Sequence, residues 1–439
     1  MKTFLFALTA ALGFATSSWG NPPLPYEAKA KHMGVVTCQS SLCHGSIVSW
    51  KSSNVLQNEY VTWSRADPHA LKAAQVLMND QSRKIAANLR LKEPAHQAKI
   101  CVDCHGHNPP KERQGEQFSA ADGVSCEACH GPAEKWLSTH VQPDATHADN
   151  VRNGLYPTGD PVALARLCLS CHFGNKDKFV THRIMGAGHP RITFELDTFT
   201  LTQPPHFVPD ADWVKRKGSW DSVRLWAIGQ ALAAQEQLDV FSDSKRGRDR
   251  LFPELVVFDC HACHHPMSDK RWRPATGPQP GVVRFNDANL IMLRQIVRRV
   301  DPSASADFNE RVRKLHEAVA GDGEAAAAHR AARAVREAID LLIPKLAKRS
   351  FNDADMRAIL ASLAEEGQSG GYRDFAGAEQ SAMAVGSVLN YLARRGALKD
   401  VKAANAALDR LFKSIADDEK YQPERFQAAI SAVRQLAQP

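Results

Sequence analysis

The last third of the chain alternates apolar and polar residues with the period of an amphipathic helix. Long runs rich in Ala, Leu, Arg and Glu follow Asn286, and breakers such as Pro302, Gly321 and Gly396 separate them. The pattern predicts helices over residues 289–300, 308–319, 325–346, 356–366, 381–395, 401–415 and 425–436. We therefore expect an α-helical domain over residues 285–439, which serves as a scaffold, as an oligomer contact or as a platform for a substrate or partner.

The residues before this domain show no amphipathic helical pattern of comparable length. Pro and Gly interrupt the apolar segments, for example at Asn108-Pro109-Pro110 and Gly159-Asp160-Pro161, which predicts loops that join short helices. The expected fold is thus mostly α. A domain over residues 21–284 with little regular secondary structure precedes the helical domain.

The first residues of the chain predict export. An apolar run from Thr3 to Ala15 follows Lys2, and small residues continue to Gly20. This is the pattern of a secretory signal peptide over residues 1–20. The run is shorter than the ~20 residues that span a bilayer, which disfavours a permanent anchor. We expect the mature protein to lie in the periplasm.

Ten cysteines form five pairs, and a histidine follows the second cysteine of every pair. These are Cys38/Cys43-His44, Cys101/Cys104-His105, Cys126/Cys129-His130, Cys168/Cys171-His172 and Cys260/Cys263-His264. Two thiols followed by a histidine form the attachment motif of c-type haem, in which the histidine is the proximal iron ligand. The sequence predicts five covalent haem c groups. The first pair has four intervening residues instead of two, a spacing that some multihaem cytochromes use.

Structural disulfides and zinc sites are the alternative uses of paired cysteines. Neither explains a histidine after every pair, and no cysteine is left over. All five motifs lie between Cys38 and His264, so little chain is available per haem. We expect the porphyrins themselves to form the core of this domain and to lie close enough for electrons to pass between them.

The net charge of the chain has little effect on the prediction of a haem protein. Its formal net charge is +7, and 44% of its residues are hydrophobic. Five haems would carry roughly ten propionates, which would offset the basic residues. We therefore expect Lys and Arg to pair with propionates, and we expect no nucleic-acid partner.

The sixth ligand of each iron decides between an electron carrier and a catalyst. A second histidine saturates the iron, whereas an open position binds a substrate. Histidines outside the motifs are frequent before residue 270, and the candidate distal ligands are His69, His140, His182, His189 and His32. Met185, Arg183 and Arg191 accompany His182 and His189; we expect Met185 to pack, and the arginines to hold propionates or an anionic substrate.

The motif Cys126-Glu127-Ala128-Cys129-His130-Gly131-Pro132, together with residues 101–105 and His140, resembles the tetrahaem cytochrome c-554 family. The similarity extends over about residues 38–172. It implies that His140 caps the iron of the first haem and that His69 caps that of the fourth. It also implies that the second haem, held by His105, lacks a sixth protein ligand.

The chain departs from that family in its wide first pair, its fifth motif at Cys260 and its C-terminal helices. It has no C-x-x-C-K motif, so the lysine-ligated haem of pentahaem nitrite reductases is absent. We interpret the protein as a pentahaem cytochrome that relays electrons between redox partners, either other cytochromes or a quinol-oxidising membrane protein. The alternative is an oxidoreductase acting on a small inorganic nitrogen or sulfur compound at one open haem. The C-terminal helices offer a surface for a homo-oligomer.

Overall fold

A computed structural model describes residues 22–51, 53, 55–217, 220–249, 252–265, 284–321 and 325–438. The α-helices are α1 Glu59–Ala66, α2 Leu71–Gln75, α3 Asp80–Asn88, α4 Lys99–His105, α5 Cys126–His130, α6 His147–Arg152, α7 Pro161–His172, α8 His182–Gly186, α9 Leu196–Thr202, α10 Ala211–Lys217, α11 Ser222–Ser242, α12 Ala288–Val300, α13 Ser305–Ala320, α14 Ala325–Lys348, α15 Asp353–Gln368, α16 Phe375–Arg394, α17 Val401–Ser414, α18 Pro423–Ser431 and α19 Val433–Leu436. Two short strands, β1 Arg248–Asp249 and β2 Phe252–Pro253, pair antiparallel.

The all-α class is as predicted. Each helix predicted beyond residue 285 is present, although the last one divides into α18 and α19. The predicted signal peptide and the Pro-rich stretch 274–281 lie outside the described residues. Among the described helices, none combines the length and apolar character needed to cross a membrane.

Three of the predicted haem motifs lie at the C-terminal ends of short helices. These helices are α4, α5 and α7, and each ends at the motif histidine. Cysteines at positions i and i+3 and a histidine at i+4 share one face of a helix, so both thiols and the imidazole point the same way. The first motif lies in a turn, and the fifth includes the 3₁₀ turn Cys260–Ala262.

A capped helix presents the fourth motif. The Asp160 carboxylate accepts hydrogen bonds from the backbone N–H groups of Val162 and Ala163, and Pro161 occupies the first helical position. Both features favour the start of a helix at this point. Helix α7 therefore begins at a defined residue, which fixes the direction in which Cys168 and Cys171 leave its last turns.

Apolar packing is divided unevenly along the chain. The largest core extends from Ala165 on α7 to Val433 on α19. Before Ala165, the described residues contribute only small clusters, for example that of Ile85 and Leu89. This is consistent with the expectation that the haems complete the core of the N-terminal region.

Helix α11 was not predicted, and it lies at the centre of the molecule. It is buried on nearly all sides and packs against α7 and α9 as well as α12, α14 and α16. A Cβ on Gly229 would come within 2.7 Å of the Leu196 side chain, so this glycine permits close approach of α11 and α9. One apolar core thus includes residues on both sides of position 284/285, and the domain division stays a prediction.

Candidate haem sites

Each of the five motif histidines faces a second histidine. The ring centroids are 6.2 Å apart in His44/His140, 6.2 Å in His105/His189, 6.3 Å in His130/His206, 5.9 Å in His172/His69 and 6.0 Å in His264/His182. Metal–imidazole bonds of about 2 Å, plus roughly 1 Å from each nitrogen to its ring centre, give about 6 Å between two axial ligands of one metal. The spacing therefore fits an iron atom between the rings of every pair.

The surroundings of the pairs also fit haem. All ten cysteines are free thiols in the structure, as haem attachment requires. Large apolar side chains stand exposed beside the motif or partner histidines, among them Ile100, Val141 and Phe207. A porphyrin face would cover such side chains. In the described part of the chain, no group of three His, Cys, Asp or Glu residues has a geometry that would hold a metal ion by itself.

Cys43 and Cys263 are placed differently from the second cysteines of the other three motifs, which lie on helices. Cys263 is exposed, whereas the other nine cysteines are partly buried. Cys43 is partly buried, but it lies in a turn and not on a helix, and its backbone N–H donates to the Ser40 carbonyl at 2.9 Å. The second thiols of the first and fifth motifs thus lack the helical setting of the other three.

Local geometry explains why these two cysteines are placed differently. Cys43 follows Cys38 by five residues, and this spacing does not bring two side chains to one face of a helix. Cys263 follows the last residue of the 3₁₀ turn Cys260–Ala262, where its backbone N–H donates to the Cys260 carbonyl at 3.2 Å. Neither pair has the helical support that α4 gives to Cys101. Attachment of haem to Cys43 and Cys263 therefore stays a prediction.

Carboxylates orient two of the ten imidazoles. The Nδ1–H of His69 donates to Asp67 at 2.9 Å, and the Nδ1–H of His44 donates to Glu59 at 3.0 Å. Burial opposes the ionisation of Asp67, but hydrogen bonds from His69 and Gln203 hold the pKa of its carboxyl at about 2. A charged acceptor at Nδ1 leaves Nε2 free for a metal, which is the usual arrangement around a ligating histidine.

Backbone carbonyls orient two further imidazoles in the same manner. Nδ1 of His140 lies 3.1 Å from the Trp136 carbonyl, and Nδ1 of His189 lies 2.7 Å from the Pro190 carbonyl. Since a carbonyl only accepts, the ring nitrogen must carry the hydrogen. Four of the predicted ligands therefore have the tautomer that leaves Nε2 free to bind a metal.

The structure corrects the expectation of an open iron above His105. His189 lies opposite His105, so a ligand is available on the side that the family resemblance left vacant. Burial lowers the pKa of His105, and the charge of His189 adds to this effect. The geometry at the second motif is that of the other four pairs.

His32 is placed differently from the other candidate distal ligands. It is fully buried, and its ring meets that of His107 edge to face at 4.5 Å, which is too close for a metal between them. Both nitrogens of His32 lack a hydrogen-bond partner among the described residues. Its place opposite a motif histidine is taken by His206.

His206 was not among the predicted ligands. It follows Pro204-Pro205 in a loop, where no helical pattern marks its direction, and only its position among the surplus histidines before residue 270 pointed to it. The structure places its ring 6.3 Å from that of His130. Sequence periodicity could not identify it, because a loop has no helical period; in the structure the neighbouring Phe207 stacks on Trp213 of α10.

The attachment sites meet in an order that differs from their order in sequence. The sulfur atoms of Cys38 and Cys126 lie next to each other, which places the first site beside the third. Those of Cys104 and Cys171 join the second site to the fourth in the same way. Cys129 lies close enough to Cys171 for their charges to interact, so the third site also adjoins the fourth.

The fifth site shares a cavity with the fourth. His172 and Cys260 both line it, and the C-terminal helix α16 contributes Phe375. Arg191 forms two hydrogen bonds of 3.0 Å with the Glu379 carboxylate and lies 5.1 Å from the centre of the Phe375 ring. Arg191, which was expected to hold a propionate or an anionic substrate, is therefore paired with a protein carboxylate.

Lys178 is a further residue that the sequence did not reveal. Its ammonium lies 2.9 Å from the sulfur of Cys171 and 2.8 Å from the carbonyl of Asp103, which belongs to the second motif. It also lies 4.7 Å from the centre of the Tyr26 ring. A positive charge thus stands where the second and fourth sites meet.

Comparison with known families agrees with this description. A family model described as Cytochrome c554 and c-prime matches residues 37–131. The match spans less than a quarter of the chain and includes the first three motifs. It supports a cytochrome of the c type with covalently bound haem c. Comparison with curated proteins and with solved structures gave no match.

Proposed function

We propose that the protein is a periplasmic pentahaem cytochrome that relays electrons between redox partner proteins. The observation that supports this most directly is the set of five facing histidine pairs at 5.9–6.3 Å. Bound haem supplies an iron that exchanges one electron between its ferric and ferrous states. The two histidines of each pair would hold the iron from both sides and leave no position for a substrate, which favours electron transfer over substrate binding.

The contacts between motifs support a relay with a branch. The first site leads through the third to the fourth, and the fourth adjoins both the second and the fifth. An electron could thus enter at one end and leave at another without a diffusing carrier between the sites. The partners would be other cytochromes or a quinol-oxidising membrane protein, as the sequence predicted.

The oxidoreductase alternative requires an open iron. With His189 opposite His105, the described residues leave none of the five motif histidines without a facing imidazole. The proposal therefore gives the protein no small inorganic substrate. Assembly of a homo-oligomer through the C-terminal helices is compatible with it.

Spectroscopy and mass measurement test the proposal together. Intact-mass analysis of the purified protein should give five haems per chain, and electron paramagnetic resonance of the oxidised protein should show low-spin iron alone. The reduced protein should not bind carbon monoxide. A high-spin haem that takes up carbon monoxide would contradict the relay and favour the oxidoreductase.

The haem count also tests haem attachment at Cys43 and Cys263, the two second cysteines that lie outside α-helices. Peptide mapping after proteolysis assigns each haem to its pair of thiols. A fragment that contains Cys43 or Cys263 without haem mass would remove the first or the fifth site from the relay.

A further inference from the structure

A pair of buried carboxylates lies beside the fourth haem site. Glu195 is 1% exposed and Asp197 is 0% exposed, and they belong to the segment that begins α9. Phe194, the preceding residue, stacks on the ring of His172 with a centroid distance of 4.5 Å. The segment therefore connects an expected iron ligand to two acidic groups that do not contact it.

The two carboxylates have different hydrogen-bond environments. Glu195 accepts from the backbone N–H groups of Asp197 and Thr198 and from the Thr198 hydroxyl, at 2.9, 2.8 and 2.6 Å. Neither oxygen of Asp197 has a hydrogen-bond partner of normal geometry among the described residues, although Ser222 and Ser387 lie beside it. A buried carboxylate without such partners is unfavourable, so Asp197 favours the protonated form.

Few compensating charges surround the pair. Helix α16 contributes Ser387, at 3.5 Å from Glu195, and the more distant Arg394, while α11 contributes Ser222. Burial raises the pKa of Asp197 to about 7, and the negative charge of Glu195 adds to the increase. Burial also raises the pKa of Glu195, against the hydrogen bonds from Thr198. Near neutral pH, Asp197 therefore lies close to the midpoint of its titration, where a change in local charge alters its protonation.

We propose that Glu195 and Asp197 form a proton-binding site linked to the redox state of the haem held by His172. One electron delivered by a donor cytochrome or quinol-oxidising partner adds one negative charge at that site. The carboxylate pair then takes up one proton from solvent, and it releases the proton when the electron moves on. Thr198, which is half-buried and donates its hydroxyl to Glu195, connects the pair to the less buried part of α9.

The inference rests on the proposed function, because it needs a haem at the fourth motif. Its signature is a midpoint potential that falls as pH rises near neutrality, by up to about 59 mV for each tenfold drop in proton concentration. Infrared redox-difference spectra should also show a C=O band of a protonated carboxyl that grows on reduction. Haem propionates could contribute to the slope, so the variants decide the assignment.

The experiment compares Asp197→Asn with Asp80→Asn, a matched change at an 84% exposed carboxylate. Asp197→Asn should flatten the pH dependence of one haem and remove the infrared band, whereas Asp80→Asn should leave both unchanged. Glu195→Gln, which can keep the Thr198 hydrogen bonds, provides the same test if the first variant folds poorly. A slope and a band that persist in folded Asp197→Asn and Glu195→Gln would overturn the inference. Haem count and spin state in the same samples test the proposed function separately.

Discussion

The imidazole of His206 faces that of His130 with ring planes inclined by 86° and centroids 6.3 Å apart. The two residues are distant in sequence and belong to different segments, a loop and helix α5. No local pattern connects them, yet their spacing is close to the 5.9–6.2 Å of the four other pairs. Each histidine that faces a motif histidine can therefore be tested as a sixth iron ligand by a single substitution.

His206→Ala should convert one haem from low spin to high spin, because it removes the imidazole opposite His130. His32→Ala is the matched control: it deletes a buried histidine whose ring faces His107 and not a motif histidine. Electron paramagnetic resonance of the oxidised proteins distinguishes the two outcomes. High-spin iron in His32→Ala with unchanged low-spin iron in His206→Ala would reverse the assignment.

His189→Ala should open the second haem, since His189 is the ring that faces His105. The reduced variant is expected to bind one carbon monoxide per chain, whereas the wild type binds none. His96→Ala, a change at an exposed histidine, should behave as the wild type. Uptake of carbon monoxide by the wild type would show that His189 does not occupy the sixth position.

The motif cysteines and histidines could be predicted from the sequence, because covalent haem attachment fixes their spacing. His69 and His140 were predicted as distal ligands from their local context and the family resemblance. The structure places both opposite motif histidines. His206 was not predicted, because a loop sequence has no helical period that would mark the direction of its side chains. Helix α11 was not predicted for a related reason. A helix that is buried on nearly every side has no polar face and therefore shows no amphipathic period in its sequence.

Long-range packing also determines what lies between the sites. Lys178 and Cys171 are close in sequence, but the contact of Lys178 with Asp103 exists only because α4 and α7 bring two motifs together. Likewise, Arg191 reaches Glu379 only because α16 covers the fifth site. Such contacts follow from tertiary structure, so a single sequence predicts that charges lie near haems but not which ones.

Lys178→Met should lower the midpoint potentials of the second and fourth haems. A nearby cation favours the reduced iron, so its removal favours the oxidised state. A unit charge within about 10 Å at an effective dielectric constant near 20 contributes ~1–2 kcal/mol, which corresponds to roughly 40–90 mV for one electron. Spectroelectrochemical titration measures the shift.

Lys176→Met is the control for this change. Lys176 is 71% exposed and lies 3.5 Å from Glu27, so its replacement removes the same charge where solvent screens it. The potentials of this variant should stay close to those of the wild type. Equal shifts in the two variants would mean that Lys178 acts only through the net charge of the protein.

Asp287 should stabilise the fold in a pH-dependent manner through its contacts with Arg284 and His316, at 2.7 and 2.9 Å. Burial opposes ionisation, but Arg284 and His316 hold the pKa of Asp287 at about 2, below the ~3.9 expected in the unfolded chain. Because the folded-state pKa is depressed, the stabilisation is complete above about pH 4 and is lost as pH falls through about 2. Asp287→Asn should therefore cost roughly 2 kcal/mol at neutral pH, and less as the solution is acidified.

The exposed Asp307 supplies the control for this last prediction. It is 62% exposed and paired with Arg311 on the surface of α13, so Asp307→Asn should change the free energy of unfolding by less than about 0.5 kcal/mol. Denaturant unfolding at about pH 7 and about pH 3 measures both variants against the wild type, and haem-dependent effects common to all three cancel in the differences. A destabilisation by Asp287→Asn that is equal at both pH values would show that its carboxyl contributes through shape and not through charge.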